Sequence, residues 1–418
     1  MKSNNLELQP KPERGRAPMR IDVATQATHI NVEGRCRAVI EAVEPSVDQG
    51  AFSAKRVTGE TVRIEADIFS DGHDLLSAVV EHRPCGGAWK EVPLSPMVND
   101  RWSAEYTVDS EGPHEFKILA WVDHFRTWRS DLRKRADAGQ DLSVEFQIGA
   151  AMVEEAASSA PSSSRAELAA FAGRIRAQSG ADVRLSASLD ERLAALMFAH
   201  APRRHSVESA APFTIWVDRP RARFSAWYEL FPRSTGHGGK HGTLLDVIEQ
   251  LDRVRSMGFD VLYLPPIHPI GRAFLKGKNN SLTSTPDDVG SPWAIGGAAG
   301  GHDAIHPQLG TLADFKKLVA EAHARGIEIA LDLALQCSPD HPWVKQHPGW
   351  FRTRPDGTIQ YAENPPKKYQ DIYPFDFECD DWKNLWNEIL AVVIGWVEKG
   401  VKIFRVDNPH TKPFRLWQ

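Results

Sequence analysis

The stretch Gly400-Val401-Lys402-Ile403-Phe404-Arg405-Val406-Asp407-Asn408 decides how the rest of the chain is read. Val401, Ile403, Phe404 and Val406 make a short apolar run, the pattern of a buried strand. Arg405 and Asp407 interrupt it two residues apart, so both fall on one face of that strand. Burying opposite charges is too costly unless they are paired or serve a function. In a (β/α)8 barrel, the C-terminal ends of the strands carry the catalytic groups. From this stretch alone, a structural ion pair at a strand end stays open beside the catalytic reading.

Upstream of it the pattern alternates between strand and helix as far back as residue 220, the sign of βα units. Strands are predicted at 224–231, 261–264, 327–335 and 401–406. Leu244, Val247, Ile248, Leu251 and Val254 share a helical face that ends at Gly258. Leu312, Phe315, Leu318, Val319 and Ala322 do the same up to Gly326, and a third helix is predicted at 382–399. The interval after the third strand is too long for a plain loop, so 337–381 is expected to be a small excursion at the catalytic face. Residues 220–418 therefore read as the first half of a (β/α)8 TIM barrel. Half a barrel leaves a sheet edge and apolar helix faces unpaired, so a fragment or truncated copy of a longer protein is expected.

Toward the N-terminus the period changes. Val62, Ile64, Ala66 and Ile68 alternate with polar residues, as do Phe116, Ile118, Ala120 and Val122. Turn signals lie at Ser70-Asp71-Gly72, Gly86-Gly87 and Asp109-Ser110-Glu111-Gly112-Pro113. Residues 21–130 and 204–219 are expected to form a β-sandwich closed by a strand at 213–217. Between them, 131–203 is rich in Ala and charge. Leu168, Phe171, Ala172 and Ile175, then Leu189, Leu193, Leu196 and Met197, recur at helical spacing. An inserted helical bundle follows, with a Ser/Ala/Pro break at 157–164. Its apolar faces need a partner, either a second subunit or this same chain. The fold class is multidomain, α+β and α/β: a β-sandwich with an inserted helical bundle, then half a barrel.

Hydrophobic residues make up 42% of the 418 and charged residues 25%, which excludes a disordered chain. The net charge of −5, without a long basic run, argues against nucleic acid or a membrane surface as partner. No apolar run approaches the length of a membrane span. Residues 1–20 are polar, lack the apolar core of a signal peptide and are expected to be disordered. Cys36, Cys85, Cys337 and Cys379 show no C-x-x-C spacing and no disulfide framework, so a reducing, cytoplasmic setting is expected. Trp89, Trp102 and Trp121 suit sugar stacking but are read first as core, and His29, His73, His82 and His114 as structural.

Four segments follow strand ends and so point to one mouth. After the second strand come Pro265-Pro266-Ile267-His268-Pro269-Ile270-Gly271, Lys276-Gly277-Lys278-Asn279-Asn280 and Gly301-His302-Asp303-Ala304-Ile305-His306-Pro307. The third strand leads from Asp332 to Gln336-Cys337-Ser338-Pro339-Asp340-His341-Pro342-Trp343. The excursion holds Glu363-Asn364-Pro365-Pro366-Lys367-Lys368-Tyr369-Gln370-Asp371, and the fourth strand adds Arg405, Asp407, Asn408 and His410. His302-Asp303 and Asp340-His341 invite a metal, but adjacent residues rarely ligate one ion and zinc spacing is lacking, so neither metal nor cofactor is expected. Lys276 or Lys367 alone reads as a solvated lysine; only their company suggests more.

The Gly-x-x-x-x-Arg-x-Asp run resembles the fourth barrel strand of the α-amylase superfamily of glycoside hydrolases and transglycosylases. There the strand-three Asp is normally followed, four and five residues on, by Asn and His; here Asp332 is followed by Gln336 and Cys337. That departure, with the runs 336–343 and 363–371, is similar to the maltosyltransferases called GlgE, a resemblance that extends over 21–418. It implies retaining transfer of maltosyl units from α-maltose 1-phosphate to the non-reducing ends of α-1,4-glucans, with release of phosphate. It implies Asp407 as nucleophile, with Arg405 holding it ionised. Lys276, Gln336, Asp371 and Asn408 match donor-binding positions; Asn364, Lys367 and Tyr369 add groups suited to a phosphate, and Ser291 lies in a segment near it. It also implies a homodimer through the N-terminal region. The superfamily's general-acid Glu and its further Asp follow later strands, so this chain by itself is expected to be inactive. Two other readings remain: a superfamily hydrolase or other transglycosylase, against which Gln336-Cys337 and the 363–371 run weigh, and a catalytically dead glycan-binding fragment.

Overall fold

The computed structural model describes residues 33–210 and 212–418. The predicted disordered stretch 1–20, the first residues of the predicted sandwich and His29 lie outside the described residues. The chain divides into two compact units between Pro220 and Arg221.

The first unit runs β1 (Ala38–Glu44), β2 (Ala54–Val57), β3 (Thr61–Ser70), β4 (Leu76–Pro84), β5 (Lys90–Pro93), β6 (Ser95–Pro96), β7 (Arg101–Thr107) and β8 (Gly112–Val122). Helices α1 (His124–Asp137), α2 (Ser143–Ser159), α3 (Ser162–Arg176), α4 (Ala181–Ser188) and α5 (Glu191–His200) follow, then β9 (Val207–Glu208) and β10 (Phe213–Asp218). One sheet has the order β1-β3-β7-β6; the other is β2-β10-β8-β4-β5, with β9 on β8. The alternating residues of β3 and β8 are buried in one core, with Phe116 stacked on Phe213. Trp102 belongs to that core, its indole N–H donating to the Ile68 carbonyl at 2.9 Å. Strand β10 does not sit at an edge. It lies inside its sheet, parallel to β2 and antiparallel to β8.

Helix α1 starts at His124, inside the region predicted as sandwich up to residue 130. The signal was Asp123, whose carboxylate accepts the Arg126 N–H at 2.8 Å as an N-cap. The predicted break at 157–164 shrinks to Ala160 and Pro161, because Ala and Ser carry α2 and α3 up to both sides of the proline. Leu168, Phe171, Ala172, Ile175, Leu193, Leu196 and Met197 are buried in one cluster with Phe125, Trp128 and Phe146. These apolar faces thus pack against one another within the chain, while Val144 and Ile148 on α2 and Val183 on α4 stay exposed.

One contact in the bundle depends on a missing side chain. Trp128 lies on α2 at Gly149, where an added Cβ would stand 2.0 Å from the ring, and its N–H donates to the Glu145 carbonyl at 3.0 Å. Gly149→Ala is expected to gain up to ~1 kcal/mol of helix propensity and lose more to the clash, for a net loss of about 1–2 kcal/mol. Denaturant unfolding checks this; an unchanged or higher midpoint refutes it.

The second unit contains β11 (Trp227–Glu229), α6 (Leu244–Ser256), β12 (Val261–Leu264), α7 (Leu312–Ala324), β13 (Glu328–Leu333), β14 (Gln336–Cys337) and α8 (Pro342–Gln346). It continues with β15 (Ala362–Asn364), β16 (Lys367–Tyr369), β17 (Tyr373–Pro374), α9 (Trp382–Glu398) and β18 (Ile403–Val406). Strands β11-β12-β13-β18 form a parallel sheet in that order. Thr243 with Asp246, and Thr311 with Asp314, build capping boxes that start α6 and α7. Gly258 and Gly326, at φ +84° and +73°, end them. Leu262, Leu264, Ile329 and Leu331 pack with the helices, while Val261, Tyr263 and Ala330 line the other face. The excursion pairs β14 with β17 and β15 with β16, over a core of Leu335, Cys337, Trp350, Phe351 and Phe375.

Several bounds differ from prediction. Strand β11 is three residues long, and Phe224, predicted inside it, is 81% exposed. Strand β18 starts at Ile403 and is half-buried rather than buried, since only β13 pairs with it among the described residues. Among the described residues no helix is long and apolar enough to cross a membrane.

Candidate active site

The strand ends carry the chemistry because the parallel register brings the charged residues onto one face. Arg405 lies opposite Asp332 across β18 and β13, and Tyr263 lies opposite Ala330, two residues before Asp332. Tyr263, Asp332 and Arg405 therefore project to the same side. The Tyr263 hydroxyl donates to Asp332 Oδ2. Arg405 Nη1 donates to the same oxygen at 3.1 Å and to Asp407 Oδ1 at 2.7 Å. Asp407 sits one residue past β18, held by its N–H to the Leu333 carbonyl at 3.1 Å. Asn408 then takes the left-handed conformation, φ +44°, that asparagine tolerates better than most residues, and its Nδ2 donates to Asp407 Oδ2 at 3.2 Å. Both oxygens of the Asp407 carboxylate are thus fixed.

Burial pushes the Asp332 carboxyl up to about 6, against the Tyr263 hydrogen bond and the Arg405 charge, which favour the ionised form. Asp332 is buried and does not line the cleft, whereas Asp407 does.

That cleft has a volume of about 850 Å³, within the range of a small-molecule site. The structure brings Lys276, Ser291, Gln336, Asn364, Tyr369, Asp371, Asp407 and Asn408 onto its wall, with Arg405 just behind Asp407. Lys367 is the exception: it is exposed and does not line the cleft. Lys276 and Asp371 are both buried, with Nζ 3.8 Å from Oδ1. Burial raises the Asp371 carboxyl, and Lys276 pulls the other way. Lys412, to which the sequence assigned no role, also lines the cleft. Burial lowers its ammonium and the nearby Asp407 charge resists. Its signal was the short spacing to Asp407. Tyr263 was overlooked because it reads as one more apolar residue in a buried strand; its hydroxyl was the clue.

The histidines that invited a metal reading are hydrogen-bonded to one another and to the backbone. His302 Nε2 lies 2.9 Å from the Ala334 carbonyl and Nδ1 3.1 Å from His341 Nε2, while His341 Nδ1 accepts the Trp343 N–H at 3.1 Å. Burial pushes His302 down to about 4 and His341 to about 3, so both are neutral, and one proton on each ring satisfies the chain. Asp340 accepts the N–H groups of Arg272 and Ala273 at 2.7 and 2.8 Å. These residues lock loops together.

Comparison with known proteins gives the site a context. Residues 36–219 match the N/S domain of α-1,4-glucan:maltose-1-phosphate maltosyltransferase, and residues 228–388 match the α-amylase catalytic domain. The chain is 50% identical to the maltosyltransferase of Chlorobaculum tepidum over 96% of its own length and 59% of that protein. It is 47% identical to the enzyme of Methylacidiphilum infernorum over 94% of its length and 59% of that protein. The chain thus spans about three-fifths of the length of these curated relatives. Among solved structures, an α-amylase from Lactobacillus plantarum is 30% identical, with a TM-score of 0.39 over 46% of this chain and 40% of that one. The chain thus carries the N/S domain of the α-1,4-glucan:maltose-1-phosphate maltosyltransferases, followed by an α-amylase catalytic-domain match, and is similar to those enzymes over nearly its whole length.

Proposed function

We propose that this chain supplies the donor site for retaining transfer of maltosyl units from α-maltose 1-phosphate to the non-reducing end of α-1,4-glucans, with release of phosphate. The observation that carries this is Asp407, fixed at both oxygens by Arg405 and Asn408, on the wall of a cleft that also holds Lys276, Ser291 and Gln336. The four parallel strands are read as the first half of a (β/α)8 barrel, with Asp407 at its catalytic end.

An Asp407 oxygen attacks the anomeric carbon, the bond from that carbon to the phosphate oxygen breaks, and phosphate leaves with the electron pair. Cations and amides on the cleft wall hold the departing charge. The acceptor's 4-hydroxyl then displaces Asp407 from the same carbon, passing its proton to the general base that the superfamily carries after a later strand, and the original configuration is restored. A cytoplasmic site of action fits the free cysteines Cys36, Cys85, Cys337 and Cys379.

The product of the complete reading frame, incubated with glycogen and orthophosphate, is expected to form α-maltose 1-phosphate. Release of free maltose or glucose without the phosphoester would replace this reading with a hydrolase.

A further inference from the structure

We infer that Tyr263 is a positioning residue for the nucleophile: its hydroxyl anchors Asp332, and through Asp332 it holds Arg405 where Arg405 orients Asp407. This rests on the proposed role of Asp407.

The argument starts from what a tyrosine is for at this place. Tyr263 is 8% exposed, clustered with Val261, Ala330 and Ile403 on the sheet face away from the helices. Packing alone would be served by phenylalanine. The hydroxyl needs a partner once buried, and among the described residues that partner is Asp332. Asp332 in turn has no role at the cleft wall, since it is buried and absent from the lining. What it does touch is Arg405 Nη1, the same nitrogen that reaches Asp407. A single nitrogen shared by two carboxylates works as a pivot, and a long arginine side chain keeps that geometry only if both ends are fixed. Tyr263 fixes one end twice: through the hydroxyl, and through its ring, whose centroid lies 6.0 Å from the guanidinium carbon.

The charged groups facing this assembly are Asp332, Arg405, Asp407 and, on β11, Glu229. With Asp332 already pushed up to about 6 by burial, loss of the hydroxyl raises it further. A protonated Asp332 releases its hold on Arg405, so the acid limb of activity moves to higher pH.

The test is a double-mutant cycle of Tyr263→Phe and Asp332→Asn in the product of the complete reading frame, read as phosphate release from α-maltose 1-phosphate. Tyr263→Phe is expected to lower kcat about 10-fold, with KM within about 3-fold, and to shift the acid limb upward. In the Asp332→Asn background the same change is expected to alter kcat less than about 2-fold. Equal losses in both backgrounds, or an unmoved acid limb, overturn the proposal. Should Tyr263→Phe fold poorly, 3-fluorotyrosine at the same position keeps the shape and strengthens the donor; the acid limb must then move down. If the wild-type protein releases no phosphate, the transferase reading fails, and the crystal structure of Tyr263→Phe decides this proposal alone. Arg405 still bonded to both carboxylates refutes it, and a displaced guanidinium supports it.

Discussion

Asp407→Asn, made in the product of the complete reading frame, is expected to cut maltosyl transfer at least about 1,000-fold while leaving the fold intact. The amide matches the carboxylate in shape, so its oxygen still accepts from Arg405 Nη1. Arg405 keeps its second partner, Asp332, at 3.1 Å and is not left as a buried unpaired charge. What disappears is the nucleophile. The thermal midpoint should therefore stay within a few degrees of wild type while phosphate release collapses. Retention of a tenth of the activity would mean that another group attacks. Asp332 is a poor alternative because its side chain is wholly buried behind Arg405. Asp371 and Glu363 are the ones to suspect, since both line the cleft.

Most of the architecture was legible because it obeys local rules. Glycines at the ends of α6 and α7 and apolar residues at helical spacing before them are local signals, and the structure honours each. The pair at 405 and 407 was legible for the same reason, as a breach of an apolar pattern. The remainder depended on which residues meet across the fold. Lys276 and Lys367 both sit in polar segments with lysine and asparagine neighbours. One ends up buried beside Asp371 and the other exposed on β16, and only the path of the excursion separates them. Tyr263 looked apolar because its hydroxyl acts on a residue 69 positions away on another strand. The bundle's apolar faces asked for a partner, and spacing alone could not say that α1, hidden at the end of β8, would supply part of it.

Lys276→Met should separate a phosphate-binding lysine from a structural one. The ammonium is buried in the cleft wall, 3.8 Å from an Asp371 oxygen that has no hydrogen-bond partner among the described residues. Methionine keeps most of the stem and removes the charge. A charge-assisted hydrogen bond to a phosphate contributes about 1.5–3 kcal/mol, which corresponds to roughly 10- to 150-fold in donor affinity. Asp371 then faces burial without its cation, and its carboxyl, already raised by burial, rises further. It takes up a proton more readily instead of staying charged, which limits the loss of stability. The expected signature is a KM for α-maltose 1-phosphate raised at least 10-fold, alongside an affinity for neutral maltose changed less than about 3-fold. If both ligands weaken equally, Lys276 shapes the cleft through Asp371 and does not read the phosphate. If neither changes, the phosphate is held by other donors on the wall, with Ser291, Asn408 and Lys412 the first to test.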